Sequence, residues 1–144
     1  MKITVDTNVL LRALVEDDPG QQLVAVEALE RAELAAVSLQ TLCEFAWVLE
    51  RSYGVRRANI ADSVRAVLGM RNIAVNRPAV EAGLNVLEAG GDFADGVIAY
   101  DGRWLGGETF VSFDRKAVRL LTAQGQAARL LGQPVQHGGT HRKA

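Results

Sequence analysis

Short apolar runs alternate along this chain with longer stretches in which apolar residues recur every three or four positions. The first pattern marks a buried strand and the second an amphipathic helix. Ile3 and Val5 are β-branched and lead into Leu10, Leu11 and Leu14 at helical spacing. A strand ending at Asp6 therefore passes almost at once into a helix. After a turn, Pro19 is placed to begin a helix, and over 21–32 Leu23, Val26 and Leu29 fall at intervals of three. A second strand is predicted over 34–37. Ser38 caps a helix over 39–53 that turns Leu42, Cys43, Ala46, Trp47 and Leu49 inward. Gly54 closes it, and residues 56–70 form a helix with Ile60, Val64, Val67 and Leu68 on its buried side. A third strand follows over 72–75. Pro78 then opens a helix with Val80, Leu84 and Leu87 buried, ending at Gly90 and Gly91. The next helix, over 93–105, carries Phe93, Val97, Ile98 and Tyr100 as its apolar set. A fourth strand over 109–112 leads to a helix near Asp114 with Val118, Leu120 and Leu121. Residues 124–131 predict a last short helix, and Pro134 with Val135 a marginal edge strand.

Strands alternating with helices imply an α/β domain with a mainly parallel sheet covered by helices on both faces. Right-handed crossovers place the ends of the first and fourth strands on one rim. No internal repeat, low-complexity tract or linker interrupts the pattern, and 144 residues make one ordinary domain.

The formal net charge is −1, whereas a protein gripping long nucleic acid nonspecifically is usually basic, so any polyanion must be held locally. Cys43 is the one cysteine, which leaves no disulfide framework and no cysteine zinc cluster. No leader pattern opens the chain and no apolar run approaches eighteen residues. A soluble cytoplasmic protein is the expectation.

Four carboxylates stand where strands end or helices leave them. Asp6 ends the first strand, Glu44 is early in the third helix, Asp95 opens the helix after Gly91, and Asp114 follows the fourth strand. Asp6 also suits a helix cap, as do Thr7 and Asn8 beside it, and Glu44 also suits the edge of a helix surface. A shared rim would gather all four. Carboxylates in close company repel one another unless a cation joins them. Hard divalent ions such as magnesium take oxygen ligands and bind phosphate oxygens, whereas zinc favours His or Cys. His137 and His141 fall in the polar C-terminal stretch, away from the acids in sequence. Asp92 follows Gly91 and is predicted to cap the helix with its side chain, leaving Asp95 in the first turn. Arg12, Arg103, Arg115 and Lys116 lie near the predicted rim as candidate contacts to RNA phosphates.

Val5-Asp6-Thr7-Asn8-Val9-Leu10-Leu11, the helix from Thr41-Leu42-Cys43-Glu44-Phe45-Ala46-Trp47, Asp92-Phe93-Ala94-Asp95-Gly96-Val97-Ile98-Ala99 and Thr109-Phe110-Val111-Ser112-Phe113-Asp114 resemble the PIN-domain ribonucleases. Together they look most like VapC-type toxins of bacterial toxin–antitoxin pairs. The resemblance implies one PIN-like domain over 1–136, with a mainly parallel central sheet of four to five strands, followed by a flexible polar tail over 137–144. It implies an endoribonuclease using magnesium or manganese, with RNA hydrolysed by metal-activated water. Asp6, Glu44 and Asp95 would hold metal, and Asp114 would bind it weakly or orient water. Thr7, Asn8, Asp92 and Ser112 are auxiliary, the Ser112 hydroxyl facing Asp6 or an outer-shell water. A homodimer and a VapB-type antitoxin are the implied partners, and no membrane is involved. Gly96 stands where the family more usually has Ala, a helix-weakening choice.

Two other classes compete. A magnesium-binding receiver domain would need a lysine ending a late strand, where Ser112 and Phe113 stand, and gives Glu44 no use. A non-catalytic PIN-like scaffold would be favoured by missing acids, and none is missing.

Overall fold

The computed structural model describes residues 1–15 and 17–132. In chain order the elements are β1 (Lys2–Thr4), α1 (Thr7–Leu14), α2 (Pro19–Arg31), β2 (Leu34–Ala36), α3 (Leu39–Arg51), α4 (Arg57–Leu68), β3 (Ile73–Ala74), α5 (Arg77–Glu88), α6 (Phe93–Trp104), β4 (Phe110–Ser112), α7 (Arg115–Ala123) and β5 (Ala128–Leu130). The fold is a helix-rich α/β arrangement. The pair of residues proposed as an edge strand, Pro134 and Val135, and both histidines lie outside the described residues.

The strands form two parallel pieces rather than one sheet of four to five strands. β1, β2 and β3 pair in that order, with Ile3 opposite Ala35 and Ala35 opposite Ile73. Among the described residues β4 pairs only with β5, Val111 opposite Arg129. Each strand is two or three residues long, and β1 and β4 belong to different sheets.

β5 replaces the short helix expected over 124–131. Gly125 adopts φ +82°, and the Gln126 and Gly125 N–H groups return to the Leu121 and Thr122 carbonyls, which closes α7 in a Schellman turn. The backbone that follows satisfies itself against β4, through Phe110 N–H to Ala127 O at 3.0 Å and Leu131 N–H to Ser112 O at 2.8 Å.

Most core residues belong to one cluster, in which Leu10, Leu42, Phe45, Val64, Val80 and Leu84 are fully buried between helices and β1–β3. A smaller cluster of Val86, Ala99 and Leu121 sits with Phe110 and Ala128 of β4 and β5. Three residues assigned inward from periodicity are exposed instead: Leu23, Trp47 and Ile98. In α2 the buried positions are Ala25 and Leu29, so the buried stripe is narrow and runs one face away from Leu23.

Two devices fix where α6 begins. α5 ends in a second Schellman turn, with Gly90 at φ +107° and N–H bonds from Gly91 to Val86 O and from Gly90 to Leu87 O. Arg57 of α4 then donates to the Gly91 carbonyl at 3.1 Å. α5 and α6 come backbone to backbone where Gly96 meets Ala82 and Gly83. A Cβ on Gly96 would lie 2.2 Å from the Ala82 carbonyl oxygen, and one on Gly83 would lie 2.7 Å from the Phe93 ring. Gly96 is thus required by this approach, and its departure from Ala is not a weakness in the helix.

Candidate metal centre

Asp92, Asp95 and Asp114 come together at the heads of α6 and α7. Each offers a carboxylate oxygen, and the three oxygens lie within 4.8 Å of one another. Asp92 occupies the N-cap position of α6 in extended backbone, and its carbonyl accepts the Asp95 N–H at 3.1 Å. Its side chain makes no capping hydrogen bond, contrary to the sequence expectation. The carboxylate turns to its two acidic neighbours instead.

The side-chain cap is made one helix later. Asp114 accepts the N–H groups of Lys116 at 2.9 Å and Ala117 at 3.2 Å, and its own N–H donates to the Ser112 hydroxyl at 2.9 Å. Ser112 therefore holds the turn that presents Asp114, and is not bonded to Asp6.

Asp95 is the half-buried member. Burial, and then the charges of Asp92 and Asp114, raise its pKa above the ordinary aspartate range. Three oxygen donors of like charge, one of them partly desolvated, suit a hard divalent cation of the magnesium or manganese kind. Cys43 is not part of this group, and burial pushes its thiol up to about 11.

Asp6 and Glu44 stand outside this three-carboxylate group. Asp6 is exposed at the N-cap position of α1, where its carbonyl accepts from Val9 and its carboxylate makes no cap. Thr7, buried beside it, donates to Glu44 Oε1 at 2.6 Å. Glu44 is exposed rather than enclosed by its apolar neighbours. Thr41 on α3 donates to the Val5 carbonyl at 3.4 Å and adds a second tie between the end of β1 and α3. Asn8 is exposed, and with Val9 and Arg12 it lines an open groove between α1 and α2.

Of the four cations proposed at the rim, two are already engaged. Arg12 donates to Gln21 Oε1 at 2.6 Å and to the Tyr53 hydroxyl at 3.3 Å, with Asp17 at 3.7 Å. The Tyr53 bond foremost raises its pKa further. Arg103 donates to Gln126 and lies 5.7 Å from the centroid of the Tyr100 ring. Arg115 and Lys116 are exposed in the first turn of α7, directly after Asp114.

The sequence marks Asp92 as an auxiliary residue, and its spacing of three from Asp95 is the signal in the chain for their meeting. Arg57, which anchors the loop before Asp92, had no signal in the sequence at all.

Against known proteins, the sequence matches the family model of the PIN domain over residues 3–120. That span runs from β1 into α7 and includes all five acids discussed above. No curated protein matches the chain significantly.

Proposed function

The chain belongs to the PIN-domain family, and from that premise we propose that it is a magnesium- or manganese-dependent endoribonuclease, the toxin of a type II toxin–antitoxin pair. PIN domains are typically metal-dependent nucleases, and among the described residues no helix is long and apolar enough to cross a membrane. The observation that carries the reading is the convergence of Asp92, Asp95 and Asp114, with no cation side chain of the described residues bonded among them.

We assign the metal to Asp95 with Asp92 and Asp114, and by the family resemblance Asp6 and Glu44 complete the acidic set. When bound, such an ion lowers the pKa of a water and offsets charge on the phosphoryl oxygens. The chain's own residues do the rest. Asp114 shares its carboxylate with two backbone N–H groups, which weakens it as a ligand and suits it to orient water. Thr7 holds Glu44 in one orientation. Arg115 and Lys116 face solvent beside the acids and hold RNA phosphates there. The toxin assignment brings two further partners, a VapB-type antitoxin and a second copy of the chain, and its support is the four sequence blocks matched in order.

The test is cleavage of RNA by the purified protein with magnesium or manganese, abolished by EDTA. Co-purification with, and silencing by, the product of a short adjacent open reading frame tests the toxin assignment separately. A protein that never impairs growth when expressed alone, and binds no such neighbour, is not a toxin of this kind.

A further inference from the structure

Trp47 lies three residues after Glu44 on α3, and 56% of it is exposed. The periodicity of α3 assigns it to the core, where a large aromatic normally goes. It borders instead a shallow groove between α3 and the start of α6, whose lining also includes Cys43, Glu50, Asp92 and Phe93. Asp92 is one of the three clustered carboxylates, so the groove that the exposed indole borders reaches one member of the candidate metal centre. Arg51, one turn further along α3, places its guanidinium 5.5 Å from the centroid of the indole.

An acidic centre repels RNA, so a nucleotide held beside it needs attraction that is not charge alone. A base stacked on an aromatic ring supplies that attraction, and it does so for any base because every base has a π face. Bases are free to stack in this way in single strands, loops and ends, not inside a duplex. The guanidinium adds a cation for the neighbouring phosphate and a second flat surface for a base. Glu50 lines the groove together with Asp92, so its lining is not a general phosphate sink and the ring is its main asset.

We propose that Trp47, supported by Arg51, stacks a base of single-stranded RNA next to the phosphate to be cut. The inference rests on the nuclease reading of the carboxylate cluster and adds the side chain that positions the strand beside it.

Binding in EDTA separates it from catalysis. The chain has two tryptophans, so a Trp104→Phe background leaves Trp47 as the one indole reporter. Titration with a short unstructured RNA oligonucleotide should quench its fluorescence. Trp47→Ala should weaken binding of the single strand about tenfold, Trp47→Phe should restore most of it, and a duplex of the same sequence should not distinguish the variants. Because the ring is exposed, Trp47→Ala should melt where the wild type does. Unchanged fluorescence together with equal single-strand affinity in Trp47→Ala would overturn the proposal. So would quenching by a protein partner with RNA binding untouched by the mutation. If the wild type cuts RNA while these results fail, only the role of Trp47 falls. If the wild type neither binds nor cuts RNA, the nuclease reading falls with it.

Discussion

Thr7 and Glu44, 37 residues apart in sequence, are joined by a 2.6 Å hydrogen bond from a buried hydroxyl to an exposed carboxylate. The bond ties the head of α1 to α3 and fixes one glutamate beside the end of β1. Thr7→Val keeps the shape and removes the donor. Because Glu44 can recover its hydration, the cost should be only about 1 kcal/mol, while RNA cleavage falls well beyond what that loss explains. Thr7→Ser should retain both. Denaturant midpoints and cleavage rates for the pair check this; an unchanged rate in Thr7→Val would show that the orientation of Glu44 is immaterial.

Asp92 and Asp114 should respond oppositely to truncation. Asp114→Ala loses two helix-capping bonds and should cost about 0.5–2 kcal/mol. Asp92→Ala has no capping bond to lose and removes a repelling charge beside Asp95. Its metal-free melting temperature should hold or rise, while its affinity for divalent metal drops. Thermal melts in EDTA decide the matter, and a destabilised Asp92→Ala would return it to the role of cap.

Gly96→Ala should destabilise the protein, although alanine ordinarily strengthens a helix by about 1 kcal/mol over glycine. The added methyl meets the Ala82 carbonyl and must push α6 away from α5. Overpacking of this kind costs about 1–3 kcal/mol, and the shift displaces Asp92 and Asp95 together. A melting temperature that rises in Gly96→Ala would mean the helices have room to spare.

The pH dependence of the metal-free protein follows from Asp95. Its pKa is raised in the fold, so the folded state holds that proton more tightly than the unfolded chain does. Its contribution to stability is fully present below the unfolded aspartate value, about 3.9, and is lost as pH rises through the raised folded value. At neutral pH the ionised group therefore opposes folding. Asp95→Asn should raise the metal-free melting temperature at pH 7 and flatten its dependence on acidic pH. A lower melting temperature for Asp95→Asn at pH 7 would contradict this.

Much of this arrangement was legible in the chain because its causes are local. Ser38 accepts the Thr41 N–H as a cap, Gly54 turns left-handed after α3, and Asp95 lies in the first turn of α6, each as the sequence indicates. Crossing geometry was not legible. Periodicity shows that α3 and α6 have a buried stripe, but which neighbour covers its margin depends on packing, and Trp47 and Ile98 at those margins are exposed. The same limit applies to the acids. Spacing puts Asp92 near Asp95, while the approach of Asp114 depends on where β4 delivers α7. That β4 pairs with β5, and not with β1, could not be read from a strand of three residues.

The most direct test of the central claim is calorimetric titration of the apo protein with manganese, run alongside RNA cleavage by the same samples. The wild type should bind the ion and cut RNA. Asp95→Asn should lose both while melting at or above the wild-type temperature in EDTA. Undiminished manganese binding in Asp95→Asn, or RNA cleavage by wild type that persists in EDTA, would contradict the account.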